Sequence, residues 1–462
     1  MKLVNRTYEE LSVGDNAELR RLVTLDDLYV FAAASGNYNP LHLPTEDGDG
    51  DGRAESVAPG MFAASMISAV LGTLLPGPGT SYRTQTLAFG DRAFAGDELR
   101  CIVTVMEKLN DGGLRLRTEV LRDADGATVL DGTAEVTAPQ KRFSKDDIDV
   151  PGLVVQRHRH FEDILERARP LPPIRTAVVC PEEVNSLGGA ILAARESILT
   201  PILVGDPSKI AAAAGELGED LHGIEIVGVA QNREAARTAC RLVNEGHAAA
   251  VMKGHLHTDD LLRPMLDKSE GLRMGRRFTH VFVMDVPGLP HPLLVSDAAI
   301  NIAPDLKAKI DIVQNAIDLA VSIGHGTPRV AVLSAVETVN PEIQSSMDAA
   351  LLSKMADRGQ IIGGTVEGPL AMDNAVDLNA ARTKGLKGDV AGHANVLVVP
   401  GIDAGNMVAK QLSFISHAEG AGLVLGAKVP VILNSRSDSV MSRLASCAVA
   451  AIHHARQTNP IQ

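Results

Sequence analysis

Residues 174–204 read IRTAVVCPEEVNSLGGAILAARESILTPILV, and the larger part of the chain can be understood from this stretch. Two short apolar runs, Thr176 to Cys180 and Pro201 to Val204, flank an amphipathic segment from Leu187 to Ser197. A continuous apolar run without alternation is how a strand covered on both faces reads, and a helical segment between two such runs predicts a βαβ unit. The rhythm continues downstream. Further apolar runs lie at 224–229, 248–252, 280–286, 330–334, 396–399 and 429–433, and helical stretches at 232–245, 310–323, 347–358, 407–416 and 439–454. This predicts a doubly wound α/β domain over 174–462, in two lobes with a cleft between them, whose ligands lie beyond the carboxyl ends of the strands.

The first part of the chain has a different period. Leu99 to Met106, Leu114 to Leu121 and Thr128 to Thr137 alternate apolar and polar residues, separated by the turns Asn110-Asp-Gly-Gly113 and Asp123-Ala-Asp-Gly126. That pattern predicts an antiparallel meander. Upstream, Thr24 to Asp27 has the spacing of a capping box before a helix ending at Ser35-Gly36. Residues 60–75 are almost wholly apolar, as in a buried helix. A sheet wrapped around one helix is the simplest assembly, so an α+β domain is expected over 1–142. Prolines at 139, 151, 170, 172 and 173 bracket a region expected to be a linker, 143–173. The His158-x-His160 pair inside it is read as a solvated basic connector, and no metal site is expected.

Lys and Arg number 44 against 57 Asp and Glu, a net charge of −13, and aromatic residues are 3% with no Trp. A nucleic-acid partner is therefore not expected. Four scattered cysteines give neither a zinc knuckle nor a disulfide framework. No window has the 18 or so apolar residues of a membrane helix, and no signal-peptide core opens the chain, so a cytoplasmic protein without membrane contact is expected. The fingerprints of dinucleotide and nucleoside triphosphate sites and of the hydrolase elbow are absent.

Two strand ends carry polar chemistry. After the run 429–433 comes Asn434-Ser435-Arg436-Ser437-Asp438-Ser439, leading into a helix. Hydroxyls, helix N–H groups and a guanidinium at such a junction suit a phosphate; the plainer reading is a capped helix. After the run 248–252, Lys253 to Thr258 repeats the idea before a helix carrying Arg263. Cys180 also ends a strand and is expected to be a buried small residue rather than a nucleophile.

Over its last 290 residues or so, the chain resembles the phosphate acetyltransferase/phosphate butyryltransferase family. The resemblance lies in MKGHLHTDDLLRPML (252–266), SDAAINIAPDL (296–306), GTVEGPLAMDNAV (364–376), VVPGIDAGNM (398–407) and NSRSDSVMSRLAS (434–446). The Ser-Arg-Ser-Asp-Ser form looks more like the butyryl branch. The resemblance implies a fold like isocitrate and isopropylmalate dehydrogenases. It also implies interconversion of acyl-CoA plus phosphate with acyl phosphate plus CoA, with CoA as substrate and no permanently bound cofactor. Arg436 would clamp phosphate and Ser435 would donate a hydrogen bond. Lys253, Thr258, Arg263 and Asn406 would line the substrate and CoA site. Acetyl enzymes carry an Asp seven residues after the motif Ser. This chain has Ser442 there, which leaves Asp438 or solvent as the base.

The first 140 residues or so resemble a MaoC-like dehydratase, a hotdog fold, through Ser35-Gly-Asn-Tyr-Asn-Pro-Leu-His42. His42 is kept, but Asn37 stands where the family has an Asp. An amide cannot accept the proton a carboxylate would, so this domain is expected to be weak or inert as a hydratase. The leading expectation is a short-chain phosphate acyltransferase with a vestigial hydratase module, assembled as a homo-oligomer. The alternatives are a bifunctional enoyl-CoA hydratase and acyltransferase, and a non-catalytic CoA-binding scaffold.

Overall fold

The computed structural model describes residues 3–48, 55–146, 155, 159–435 and 438–458. Its contacts divide the chain into two units, Met1–Val155 and Gln156–Gln462.

The first unit contains β1 (Leu3–Val4), β2 (Asn16–Leu22), α1 (Leu25–Ser35), α2 (Gly60–Thr73), β3 (Ser81–Phe89), β4 (Glu98–Lys108), β5 (Gly113–Arg122), β6 (Thr128–Thr137) and β7 (Ser144–Lys145). Strands β2-β4-β5-β6-β3 form one antiparallel sheet. The expected meander is β4 to β6. Edge strands β2 and β3 were not legible, because most of their side chains are exposed and apolar alternation is missing. Helix α2 buries Phe62, Ala63, Met66, Ile67, Val70 and Leu71 in the same core as Leu99, Val103, Leu116 and Leu130 of the sheet. Thr24 caps α1 as its spacing requires: its Oγ1 accepts the Asp27 N–H at 3.1 Å, and the Asp27 carboxylate accepts the Thr24 N–H at 2.9 Å.

The second unit contains α3 (Arg159–Ala168), β8 (Ile174–Val179), α4 (Val184–Arg195), β9 (Leu199–Gly205), α5 (Pro207–Leu217), β10 (Glu225–Gly228), α6 (Asn232–Asn244), β11 (Ala250–Lys253), α7 (Thr258–Met265), β12 (Thr279–Asp285), β13 (Leu293–Ser296), α8 (Leu306–Ser322), β14 (Arg329–Leu333), α9 (Gln344–Asp357), β15 (Thr365–Leu370), α10 (Met372–Val376), α11 (Leu378–Thr383), β16 (Val396–Val398), α12 (Ile402–Phe414), β17 (Glu419–Leu425), β18 (Val431–Ile432) and α13 (Val440–Thr458). All its strands join one sheet, in the order β10-β9-β8-β11-β18-β17-β12-β13-β16-β14-β15. The first five are parallel to one another, as are the last four. Between them β17 and β12 pair antiparallel with each other and with their outer neighbours. The second unit thus has two oppositely directed parallel blocks within a single sheet. The sequence reading missed β17 (EGAGLVL) because its glycines weaken the strand pattern. They are needed there: a Cβ on Gly422 would lie 2.5 Å from the Leu433 carbonyl oxygen.

The expected linker, 143–173, needs correction at both ends. Strand β7 pairs with β1 in the first unit. Helix α3 buries Phe161, Ile164, Leu165 and Ala168 in the main core of the second unit. Its apolar residues recur at helical spacing, so the segment reads as amphipathic in sequence, but it packs in the core instead of serving as a linker. Residues 147–154 and 156–158, His158 among them, lie outside the described residues. Deep in the second unit Lys309 of α8 and Asp348 of α9 form a buried ion pair at 2.6 Å, the side chains 5% and 4% exposed.

Candidate active site

Strands β11 and β18 are adjacent and parallel, with Met252 opposite Ile432. The Lys253–Thr258 loop and the Asn434–Ser439 loop therefore leave the same edge of the sheet side by side. The first loop is pinned to the end of β8. Gly254 donates its N–H to the Val179 carbonyl at 2.8 Å, and His255 donates to the Cys180 carbonyl at 2.7 Å. A Cβ at position 254 would meet that Cys180 oxygen at 2.3 Å, so only glycine permits the approach. Lys253 is buried at the strand end, while Thr258 opens α7 half-buried. Cys180 is buried and its thiol is pushed up to about 12 by desolvation, with Glu182 adding to the effect. It stays a protonated thiol at neutral pH, which does not suit a nucleophile.

In the second loop Asp438 serves its own turn. Its Oδ2 accepts the Ser435 N–H at 2.7 Å and the Asn434 side-chain amide at 3.3 Å. Arg436 and Ser437 lie outside the described residues. Two side chains that sequence reasoning did not select brace this loop. The buried Arg443 of α13 donates through Nη2 to the Ser435 carbonyl at 2.9 Å. Asn434, itself buried, donates to Ser446 Oγ at 3.0 Å. Room for the Arg443 side chain comes from Gly189 of α4, where a Cβ would lie 3.0 Å from Arg443 Cδ.

A third residue arrives through β17. Its register, Leu423 opposite Ile432, sets the start of β17 beside the loop that follows β18. There Glu419 Oε2 accepts hydrogen bonds from Ser439 Oγ, at 2.5 Å, and from Ser442 Oγ. These groups line a cleft of about 170 Å³ together with Phe282, Lys410 and Phe414. No local motif announces Glu419, because its contacts depend on strand pairing; Arg443 lies within the quoted stretch 434–446, but its bond to the Ser435 carbonyl depends on how α13 docks.

The other expected site residues are more dispersed. Arg263 lies on the exposed face of α7, where it donates to Asp259 at 2.9 Å. Asn406 is exposed near the start of α12. Its neighbour Gly405 is required by close packing, since a Cβ would lie 2.6 Å from the Asp297 carbonyl oxygen. In the first unit Asn37 and His42 are both half-buried. Asn37 Oδ1 accepts the Asn39 N–H at 3.3 Å, closing a local turn. His42 Nδ1 meets the Val57 carbonyl at 2.9 Å and so is the donor of that bond. Among the described residues no group of three or more His, Cys, Asp or Glu side chains could hold a metal ion, and no helix is long and apolar enough to cross a membrane.

The phosphate acetyltransferase of Rhizobium meliloti is 56% identical over 297 residues, which cover 64% of this chain and 94% of that protein. The chain belongs to the phosphate acetyl/butaryl transferase family. The family profile matches residues 228–451, and a MaoC like domain profile matches residues 13–122. The phosphate butyryltransferase of Clostridium beijerinckii is 40% identical over 298 residues, covering 64% of this chain and 99% of its own. The acetyl-named relative is the more similar of the two, against the butyryl leaning read from the Ser435–Ser439 loop. A solved structure, a branched-chain phosphotransacylase from Enterococcus faecalis, aligns with a TM-score of 0.54 at 32% identity, covering 61% of this chain and 99% of its own.

Proposed function

We propose that the second unit transfers a short acyl group between CoA and inorganic phosphate at the Lys253–Thr258 and Asn434–Ser439 loops. The observation that carries this reading is the Met252–Ile432 pairing, which sets two polar strand-end loops side by side in a chain of this family. In the synthetic direction CoA sulfur attacks the acyl carbonyl carbon of acyl phosphate and the C–O bond to phosphate breaks, the electron pair leaving with phosphate. Arg436 holds the departing phosphate by paired N–H donors, and Ser435 donates to the oxygen that gains charge at the carbonyl. Lys253 and Thr258 line the phosphate side. Arg263 and Asn406 take the outer parts of CoA, where exposed polar side chains suit its charged end. Asp438 holds the loop in shape. Positioning of the two substrates removes the need for an acyl-enzyme, in keeping with the high thiol pKa of Cys180.

CoA enters as a substrate, and no resident cofactor takes part. The first unit acts as an inert or feeble hydratase module, because the side chain at 37 is an amide engaged in its own turn. The protein works in the cytoplasm as a homo-oligomer. The exposed edge strand β3, with Tyr82 and Phe89 turned to solvent, supports self-association through the first unit. The test is a coupled assay with acyl phosphates of two to six carbons and CoA. Acyl-CoA is expected to form with at least one of them; CoA binding without turnover of any would favour the scaffold reading instead. Crotonyl-CoA is expected to be hydrated at background rate only, and brisk hydration would establish the bifunctional reading.

A further inference from the structure

We infer that Glu419 is the general base of the transfer, taking the CoA thiol proton as sulfur attacks. The inference rests on the transferase reading above. The other carboxylates beside the loop each use one oxygen to hold a backbone N–H in place. Asp438 Oδ2 is held by Ser435 and Asn434. Asp285, opposite Glu419 on β12, is buried and its Oδ2 accepts the Phe161 N–H at 2.9 Å.

Glu419 differs in its partners, which are two side-chain hydroxyls and no backbone group. It stands half-buried at the start of β17, in the cleft bounded by Phe282, Lys410 and Phe414. Ser439 and Ser442 both donate to its Oε2. One carboxylate oxygen is therefore fixed by two hydroxyls that belong to the motif loop and the first turn of α13, while Oε1 has no hydrogen bond among the described residues. A base must be aimed before it can work, and this is an aimed carboxylate with one oxygen left to receive a proton. The ionisable groups beside it are Lys410 of α12 and Asp438 of the loop, which line the same cleft, and Asp285, its partner across β12.

The step balances as follows. The thiol proton passes to Glu419, the S–C bond forms at the acyl carbon, the bond to the phosphate oxygen breaks, and phosphate leaves with the electron pair. In the opposite direction phosphate oxygen attacks the thioester, and protonated Glu419 returns its proton to the departing thiolate.

The test compares wild type, Glu419→Gln and the double variant Glu419→Gln/Ser442→Asp, each at several pH values. Glu419→Gln is expected to lower kcat by about 10²–10⁴-fold with little change in the KM for CoA, and to abolish the fall of kcat/KM on the acid side. Because Ser442 Oγ is in hydrogen-bond contact with Glu419 Oε2, a carboxylate at 442 would stand at nearly the same place. The double variant is therefore expected to recover part of kcat and the acid limb. A Glu419→Gln enzyme that keeps wild-type kcat would overturn the inference, as would a double variant that binds CoA but recovers nothing. If wild type itself transfers no acyl group, the transferase reading fails first.

Discussion

The segment Ser35–His42 of the first unit and the segment Asn434–Ser439 of the second are both short, polar and rich in Asn and Ser, yet their hydrogen bonds have different reach. In the first, Ser35 Oγ accepts from the Asn37 N–H, Asn37 Oδ1 from the Asn39 N–H and Asn39 Oδ1 from the Leu41 N–H, each two residues away. Longer links are few: Ser35 Oγ donates to the Phe31 carbonyl at 2.6 Å, and the segment meets Val57 through His42 Nδ1 and through the Leu41 carbonyl, which accepts the Val57 N–H at 3.2 Å. In the second, the partners include Glu419, Arg443 and Ser446, drawn from a strand and a long helix. A short-range network builds a turn and survives the loss of a carboxylate at 37. A network that ties one loop to several elements fixes side chains relative to a second loop, which is what a reaction between two substrates requires.

The comparison can be broken most severely in the second unit. Replacing Asp348 by Ala leaves the Lys309 ammonium buried without its partner and is expected to cost about 3–5 kcal/mol of stability, read by thermal unfolding and by hydrogen exchange in α8 and α9. A loss well below 1 kcal/mol would mean that this pair behaves like an exposed one. Next in size is Asp438→Ala, which removes the acceptor that shapes the loop and is expected to lower transfer by about 10²-fold. Asp438→Asn should keep most of the rate, since its amide oxygen still accepts the Ser435 N–H. Equal loss in both variants would make Asp438 a proton acceptor after all. A smaller effect is expected from Asn37→Asp, a measurable gain in crotonyl-CoA hydration with acyl transfer unchanged. No gain would show that the first unit lacks more than one carboxylate.

The smallest effect concerns pH. Burial holds His280 and His453 at about 4, well below the ordinary histidine value of about 6.5. Between about pH 6.5 and 4 the unfolded chain binds protons that the native state excludes, so stability is lost as pH falls through this window. Urea midpoints are expected to drop from pH 7 to pH 5, with a shallower drop in His453→Asn. An unchanged slope in that variant would remove His453 from the account.

Much of this architecture was legible because it is written locally. Alternation gave β4 to β6, continuous apolar runs gave most strands of the large sheet, and the Thr24 capping box gave the start of α1. What stayed hidden depends on distant pairing or on exposed residues. Strands β2 and β3 lack an apolar face, the amphipathic α3 reads as part of a linker among charges and prolines, and β17 is broken by glycines, of which Gly422 is required by the Leu433 carbonyl. For the site, Lys253 and Ser435 could be read as strand-end residues, but their side-by-side placement follows from the β11–β18 pairing alone. Glu419 enters the site through that same sheet with no motif of its own, and Arg443 enters through α13 from within the stretch 434–446. Arg263 was legible as a cation near the site; its ion pair with Asp259 was not.

The measurement that bears most directly on the central claim is the rate of acyl-CoA formation from acyl phosphate and CoA by the Arg436→Ala variant. A loss of about 10²–10³-fold in kcat with CoA binding retained is expected if this guanidinium holds the departing phosphate. A rate equal to wild type would contradict the assignment and move the phosphate site away from the Asn434–Ser439 loop.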